Sequence, residues 1–191
     1  MQEIIDLSYR NKLSHLSSTL SAYPIIKDIY SKMREDDVFV LSQGHAALAL
    51  YVVLGNAQDK LDRFGMECVR SPQDGIHVST GSLGMGLTVA LGMAMAGRTV
   101  HCLISDGECA EGAVWEALAL AYKYAPSLHV YVNYNGMSAL GAIDPVLVKR
   151  LLAFMPSIKI CYSEPLDLPY TRGLEAHYHV ITEAEYAQII R

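Results

Sequence analysis

The sequence predicts an α/β fold, a three-layer sandwich in which helices cover both faces of a mainly parallel sheet. A β-branched, apolar segment at 99–104 is typical of a buried parallel strand. Helical periodicity follows over 112–124, and a second apolar strand is predicted at 128–133. Strand, helix and strand in this order form a βαβ unit with parallel strands. Two further short segments, 37–41 and 157–162, are predicted as additional strands.

Helices are predicted where apolar residues recur at intervals of three or four positions. In chain order these segments cover about 3–13, 23–33, 42–51, 61–66, 82–96, 112–124 and 144–154. Between the first two helices we expect a polar loop at 14–22. The segment at 82–96 is apolar nearly all round, so we expect it to be buried on every side, in the core or at a subunit interface.

The composition indicates one domain with a full hydrophobic core. The chain has 191 residues, of which 51% are hydrophobic and only 18% are charged. That is apolar for a soluble domain of this length, so we expect further surface to be buried in an oligomer. Because no repeat, low-complexity tract or linker divides the sequence, residues 1–191 are predicted to form a single domain.

Charge and segment patterns exclude several classes of protein. The net charge is −5 without a basic run, which argues against a nucleic-acid partner. No apolar run reaches the ~18 residues that a membrane span needs, and the first residues lack a signal-peptide pattern. The four cysteines form no Cys-x-x-Cys pair, which suits reduced thiols. We therefore expect a cytoplasmic protein that binds neither nucleic acid nor membrane.

Polar residues follow both strands of the βαβ unit, at the edge where open α/β sheets bind ligands. Asp106 follows the first strand, and Asn135 follows the second. Mg²⁺ prefers oxygen ligands of these kinds and commonly completes its coordination with substrate phosphates. Gly107 has no side chain and lets the backbone approach a phosphate closely. The alternative is a ligand-free surface edge, because Asp-Gly pairs are common in ordinary turns.

These two turns resemble the thiamine-diphosphate motif, and the longer pattern is similar to transketolases in particular. The string Asp-Gly-Glu-x-x-Glu-Gly-x-x-Trp-Glu-Ala begins at Asp106, and the Asn-Gly pair lies at 135–136. The glycine-rich segment 75–87 and the Leu-Ser-x-Gly-His-Ala segment 41–46 resemble the same family. Residues 171–186 are similar to the end of the family's cofactor domain, including its short Glu-Glu-Tyr helix.

The sequence also departs from the family's pattern. Ser105 stands where the family usually has a glycine, although a serine can still donate to a phosphate. The family's Gly-His-x-Gly-Gly-x-Leu-Ser segment is matched only at His15, Leu20 and Ser21, because serines replace its glycines. Residues 70–72, Arg-Ser-Pro, stand where many transketolases have a further histidine followed by proline.

The resemblance implies a site for thiamine diphosphate with Mg²⁺, or with Ca²⁺ or Mn²⁺ in its place. The implied metal ligands are the side chains of Asp106 and Asn135 and the carbonyl group of Met137. The other implied cofactor contacts are Gly81, Ser82, Leu83, Ser105, Gly107, Glu108 and, again, Asn135.

The same resemblance implies that histidines face the substrate. His15, His45 and either His177 or His179 would orient hydroxyls and transfer protons, for which histidine suits neutral pH. The spacing cannot choose between His177 and His179. Glu111 would lie at a subunit interface, in a carboxylate network that reaches the partner.

Each histidine also has a simpler interpretation. His15 fits a polar loop that caps a helix, and His45 fits a cap contact at a helix start. His177 and His179 fit a His-rich surface turn, or a zinc pair that has no third ligand nearby.

The family transfers a two-carbon ketol unit between sugars or sugar phosphates, and the resemblance covers only its diphosphate-binding half. The other half holds the aminopyrimidine ring and supplies a glutamate that protonates it. We therefore expect a transketolase subunit that is active only with a separate C-terminal subunit, as a dimer of heterodimers. The alternatives are a deoxyxylulose-phosphate-synthase-like condensation, a thiamine-dependent decarboxylation, or a catalytically silent scaffold.

Overall fold

The computed structural model describes residues 1–139, 141–163 and 173–190, with side chains from residue 176 onward in the last segment. Its helices are α1 (Gln2–Arg10), α2 (Leu16–Tyr30), α3 (Ala47–Leu54), α4 (Ala57–Phe64), α5 (Met85–Met95), α6 (Gly112–Tyr124), α7 (Val146–Phe154), α8 (Gly173–Tyr178) and α9 (Glu183–Ile189). Its strands are β1 (Val38–Leu41), β2 (Val100–Ser105), β3 (Leu128–Tyr134), β4 (Met137–Ser138), β5 (Gly141–Ala142) and β6 (Lys159–Tyr162).

The centre of the fold is a four-stranded parallel sheet with the order β1-β2-β3-β6. In its register, Val100 of β2 lies beside Leu128 of β3, and Ser105 lies beside Asn133. At least one helix connects each pair of neighbouring strands, as parallel strands require. The carboxyl ends of the strands therefore meet at one edge of the sheet.

Helices cover both faces of the sheet because strand side chains alternate between two hydrophobic cores. Phe39, Leu41 and Leu103 belong to one core, which they share with α1, α2, α3 and α4. Val40 and Ile104 belong to the other, which they share with α5, α6 and α7. The predicted three-layer α/β sandwich is thereby confirmed. All four predicted strands are present, each within two residues of its expected ends, and α6 has the predicted bounds.

The polar loop predicted at 14–22 is wrong, because α2 already begins at Leu16. Hydroxyl groups in this segment bond to the helix itself. Thr19 donates to the carbonyl of His15, and Ser21 donates to the carbonyl of Ser18, each at 3.0 Å. Since one side of this turn is buried in the core, packing outweighs the weak helix propensity of serine.

The helix predicted at 61–66 is α4, which begins four residues earlier, at Ala57, and ends before Gly65. The prediction missed its first turn because that turn is mostly polar. Asn56, which precedes the helix, has a φ of 53°. A left-handed residue of this kind is typical of asparagine, and it separates α3 from α4.

The segment at 82–96 is not buried on every side within this chain. Leu83, Met85, Val89 and Met95 are between 40% and 58% exposed, whereas the opposite side of α5 is buried. The prediction offered two alternatives, of which burial in the core is therefore wrong. Burial at a subunit interface stays a prediction. Neither α5 nor any other helix in the described parts of the chain is long and apolar enough to cross a membrane.

The helix α9 returns to the start of the chain and packs on α1. Tyr186 stacks on Tyr9 with ring centroids 4.3 Å apart, and its hydroxyl donates to Asp6 at 2.7 Å. Thr182 and Glu185 form a reciprocal capping box at the start of α9. The short helix implied at this end is thus present. The segment 164–169, where Pro165 and Pro169 favour a turn, lies outside the described residues.

We expect Gly86→Ala to destabilise the fold even though alanine favours helices. A Cβ at Gly86, on the buried side of α5, would lie 2.5 Å from the Cα of Ser42 in the turn after β1. Displacing that turn costs about 1–3 kcal/mol of unfolding free energy. Gly92 is the matched control in the same helix, since an added Cβ there meets no atom within 4 Å. Gly92→Ala should stabilise by up to ~1 kcal/mol; equal urea midpoints for both variants would contradict this packing.

Candidate functional site

The carboxyl ends of the central strands open into a cavity of ≈ 490 Å³, a size that suits a small organic ligand. Residues of its wall come from the turns after β1, β2 and β3, from the glycine-rich loop before α5, and from α2 and α8. These segments are far apart in the sequence, and the parallel sheet brings them to one edge.

Most of the predicted site residues line this cavity. They are His15, His45, Gly81, Leu83, Ser105, Asp106, Gly107, Glu111, Asn135, Met137 and His177. Ser82, Glu108 and His179 are not among the lining residues. The ring of His179 instead bonds to Glu185 at 3.0 Å, so the structure brings His177 rather than His179 to the cavity.

The carboxylate of Asp106 joins the two polar turns at the sheet edge. Asp106 is only 1% exposed, and its Oδ1 accepts the backbone N–H of Gly107 at 2.9 Å. Its Oδ2 accepts the N–H groups of Asn135 and Gly136 at 3.0 and 2.7 Å. The turn after β3 is therefore held against the turn after β2, where the sequence predicts the metal.

The electrostatics of Asp106 favour a nearby cation. Burial raises the pKa of this carboxyl group to about 6, although its bonds to backbone N–H groups act in the opposite direction. The described residues that line the cavity include no lysine or arginine. An anionic ligand such as a diphosphate would therefore need a cation beside Asp106 to balance the charge.

The neighbouring oxygen atoms suit a hard divalent cation. Asn135 has a side-chain oxygen that accepts the N–H of Met137 at 2.9 Å, and both residues line the cavity. Within the described residues, no group of three or more His, Cys, Asp or Glu side chains could hold a metal by itself. Amide, carbonyl and phosphate oxygens would have to complete the coordination, as is common for Mg²⁺. The residues present fit a metal that a phosphate ligand helps to bind.

Glu108 lies beneath the cavity and connects three of its walls. It is fully buried, and its Oε1 accepts the hydroxyl of Ser42 at 2.6 Å and the N–H of Gly84 at 3.0 Å. Its Oε2 accepts the N–H of Ser105 at 2.9 Å. Burial raises the pKa of Glu108, and these donors oppose that shift. Glu108 therefore positions the residues that line the cavity.

Three histidines form a compact cluster in the cavity. The ring centroid of His15 lies 4.3 Å from that of His177 and 5.0 Å from that of His45. His15 precedes α2 with a φ of 63°, a left-handed conformation that is uncommon for residues other than glycine. The hydroxyl of Ser14 bonds to its Nδ1 at 2.7 Å, which fixes the ring. The cluster thus joins residues from the two ends of the chain.

Burial keeps these imidazoles neutral. It lowers the pKa of His15 to about 4 and that of His45 to about 3, and the neighbouring histidines act in the same direction. Burial also lowers the pKa of His177. A neutral imidazole has one donor and one acceptor nitrogen. The cluster can therefore both donate hydrogen bonds to hydroxyl groups and accept hydrogen bonds from them at pH 7.

Nine of the described lining residues are not predicted from the sequence, and among them only Gln43 and Glu67 carry an amide or a carboxylate. Gln43 occupies the unspecified position x of the Leu-Ser-x-Gly-His pattern. Its place in that pattern is the only feature of the sequence that could have marked it as a site residue. Glu67 lies in a segment without periodicity. It reaches the cavity because its carbonyl accepts the hydroxyl of buried Tyr51 at 2.8 Å, an arrangement that depends on loop packing.

Trp115 stabilises the turn between β2 and α6. Its indole N–H donates to the carbonyl of Cys109 at 2.9 Å, and its ring meets Phe154 edge-on at 5.0 Å between centroids. Trp115 is not among the residues that line the cavity of Asp106 and the histidines. The tryptophan of the Trp-Glu-Ala string therefore holds this turn in place.

The chain is similar to known proteins over most of its length. A family model described as 1-deoxy-D-xylulose-5-phosphate synthase matches residues 14–159. A transketolase from Pongo abelii is 40% identical over 127 residues, which cover 58% of this chain and 20% of that protein. One subunit of apulose-4-phosphate transketolase from Phocaeicola vulgatus is 30% identical over 173 residues, which cover 76% of this chain and 62% of that protein.

A similar fold occurs in the solved structure of transketolase from Leishmania mexicana. The TM-score is 0.76 at 19% identity, over 98% of this chain and 39% of that one. At this identity the likeness concerns the fold alone. The chain covers less than two thirds of each of these three proteins.

We expect Glu108→Ala to lower the unfolding free energy by about 2–4 kcal/mol, because it leaves buried N–H groups of Gly84 and Ser105 without their acceptor. Glu108→Gln should lose less, since one side-chain oxygen remains. Glu116→Ala, at an exposed position on α6, serves as the control and should change stability by less than ~1 kcal/mol. Denaturant titration measures all three; a Glu108→Ala protein as stable as the control would contradict the role of this carboxylate.

The lowered pKa values of His15 and His45 predict a dependence of stability on pH. The unfolded chain takes up protons near pH 6.5, whereas these folded histidines do so only near pH 4 and 3, so acidification below 6.5 favours unfolding. Between pH 7.5 and 5 each histidine should account for about 2 kcal/mol of lost unfolding free energy. The His15→Gln/His45→Gln double variant should lose correspondingly less in denaturant titrations at the two pH values. Identical losses in both proteins would contradict the burial of these rings.

Proposed function

Since the chain belongs to the transketolase-type family of N-terminal domains that bind thiamine diphosphate, we propose that it is the cofactor-binding subunit of a transketolase. The proposed enzyme transfers a two-carbon ketol unit between sugars or sugar phosphates. The observation that carries this proposal is the single cavity in which the Asp106 and Asn135 turns and three neutral imidazoles face the same ligand space.

In this proposal, Asp106, Asn135 and the carbonyl of Met137 hold Mg²⁺, or Ca²⁺ or Mn²⁺ in its place. Ser105 and Gly107 lie beside the diphosphate. The rings of the cofactor contact the glycine-rich loop at Gly81, Ser82 and Leu83, and Glu108 supports these contacts from below. When bound, thiamine diphosphate supplies the carbon nucleophile and the electron sink that cleavage of a carbon–carbon bond needs.

The histidine cluster handles the protons of the sugar. We propose that His15, His45 and His177 orient the sugar hydroxyls and hold or release a proton at their oxygen atoms. Their lowered pKa values support the orienting role, because a neutral imidazole offers one donor and one acceptor nitrogen at pH 7. His179 remains a weaker candidate, since it bonds to Glu185 outside the lining of the cavity.

We propose that the aminopyrimidine side of the site lies on a separate C-terminal subunit, in a dimer of heterodimers, and that residues 1–191 act as one diphosphate-binding domain. The relative from Phocaeicola vulgatus supports this arrangement, because its name describes one subunit of a transketolase rather than the whole enzyme. The exposed apolar side of α5 offers surface that a partner would cover. Glu111 is exposed at the cavity, where it would face that partner. The free cysteines support a cytoplasmic location for the complex.

A second candidate function is the condensation catalysed by 1-deoxy-D-xylulose-5-phosphate synthase. The description of the matching family model favours it. The histidine cluster still favours ketol transfer, because that reaction requires proton transfer at sugar hydroxyls.

We expect Asp106→Asn to weaken Mg²⁺-dependent binding of thiamine diphosphate by about 100-fold or more, because the metal loses its charged ligand. Asparagine keeps the shape of the side chain and one acceptor oxygen for the backbone N–H groups, so the fold should survive with some loss of stability, which thermal unfolding measures in parallel. Asp36→Asn, at an exposed position before β1, is the matched control. Isothermal titration with and without Mg²⁺ measures the effect. Normal binding by Asp106→Asn would rule out this metal site.

We expect the chain alone to be inactive, and activity to saturate at equal amounts of this chain and its partner. The physical reason is that, in the proposed arrangement, the carboxylate that protonates the aminopyrimidine ring belongs to the partner subunit, and neither Glu67 nor Glu111 of this cavity replaces it. Coupled assays of the mixture should compare a ketose phosphate with a 2-oxo acid as donor. Turnover of the ketose phosphate supports ketol transfer, and turnover of only the 2-oxo acid supports the second candidate. Full activity of this chain alone would contradict the need for a partner.

A further inference from the structure

The side-chain amide of Gln43 is buried at the cavity without a hydrogen-bond partner. Gln43 is 1% exposed, and its Nε2 has no partner among the described residues. A buried N–H group without an acceptor is costly, and native structures rarely keep one without a reason. Gln43 also lines the cavity. An acceptor atom on a bound ligand would remove that cost.

Backbone packing fixes the position of the Gln43 main chain. Gln43 precedes Gly44, where an added Cβ would lie 2.7 Å from the carbonyl group of Thr80 and 2.8 Å from the nitrogen of Gly81. The turn after β1 therefore packs directly against the glycine-rich loop. Rotation of a glutamine amide about χ3 has broad, shallow minima, so the nitrogen can turn toward the cavity while the backbone stays in place.

The surroundings of Gln43 indicate which kind of acceptor it meets. Glu67 lines the same cavity, and its carboxylate lies over Gly81, where it would collide with an added Cβ. A carboxylate at this wall repels phosphate and carboxylate groups. The neutral rings of His15 and His45 bring no positive charge to offset it. The acceptor is therefore an uncharged atom, such as a hydroxyl oxygen, a carbonyl oxygen or a ring nitrogen.

We propose that Gln43 is a ligand-binding residue whose amide donates a hydrogen bond to an uncharged acceptor atom of the ligand in this cavity. The inference rests on the proposed function, which supplies two ligands with such atoms. One is the ring system of thiamine diphosphate, and the other is the sugar. Gln43 then contacts the ring system of the cofactor or a hydroxyl group of the sugar, and it makes no contact with the diphosphate.

The test compares the wild-type chain with Gln43→Met, which keeps the length of the side chain and removes the donor. Gln73→Met is the matched control, because Gln73 is exposed and does not line the cavity. Isothermal titration uses three probes: thiamine diphosphate with Mg²⁺, pyrophosphate with Mg²⁺, and D-xylulose added to the chain saturated with cofactor. Thermal unfolding of the ligand-free proteins is measured in parallel.

We expect Gln43→Met to weaken the binding of thiamine diphosphate or of D-xylulose by about tenfold, and the affected probe identifies the source of the acceptor. Pyrophosphate should bind within twofold of the wild type, since it carries only the charged part of the cofactor. Without ligand, the Tm of Gln43→Met should equal or exceed that of the wild type, by up to ~4 °C, because the unpaired amide is gone.

Four outcomes would overturn the inference. If Gln43→Met bound both thiamine diphosphate and D-xylulose within twofold of the wild type, the Gln43 amide would contact neither ligand. An equal loss for pyrophosphate would assign the effect to the diphosphate. A ligand-free Tm several degrees below that of Gln73→Met would mean that the amide has a partner inside the protein. A wild-type chain that binds neither thiamine diphosphate nor D-xylulose contradicts the proposed function itself, and the Gln43 contact with it.

Discussion

The geometry of the candidate site depends on one buried carboxylate, that of Glu108. It accepts hydrogen bonds from Ser42, Gly84 and Ser105, which belong to three different segments of the chain. Burying an ionised group costs free energy unless its hydrogen bonds are complete. The buried carboxylate of Glu108 is therefore stable only while all three segments keep their positions. A cavity walled by loops keeps its shape here because its loops share one acceptor.

Burial gives the two kinds of ionisable group in this cavity opposite and complementary properties. It raises the pKa of Asp106 to about 6 and so makes the carboxylate a better partner for a cation. It lowers the pKa values of His15 and His45 and so keeps both rings neutral at pH 7, each with one donor and one acceptor nitrogen. One poorly solvated space thus suits both metal binding and hydrogen bonding to the hydroxyl groups of a ligand.

Much of the fold could be predicted because apolar strands and a regular βαβ unit leave a clear pattern. The positions of Asp106 and Asn135 followed from that pattern, since parallel strands end at a common edge. The early start of α2 could not be predicted, because serine is a weak helix former and only the packing of the turn decides its structure. The choice of His177 depends on the direction of α8, and Glu67 enters through a loop without periodicity. Contacts between distant segments set these features, and the local sequence does not encode them.

The central claim is that the cavity at the sheet edge binds thiamine diphosphate through a divalent cation at Asp106 and Asn135. Crystals of the chain grown with thiamine diphosphate and Mn²⁺ test it most directly, because Mn²⁺ replaces Mg²⁺ and gives an anomalous signal. The account predicts an anomalous peak about 2 Å from the side-chain oxygens of Asp106 and Asn135, with the diphosphate beside Gly107. Cofactor density with its metal at any other position would contradict it.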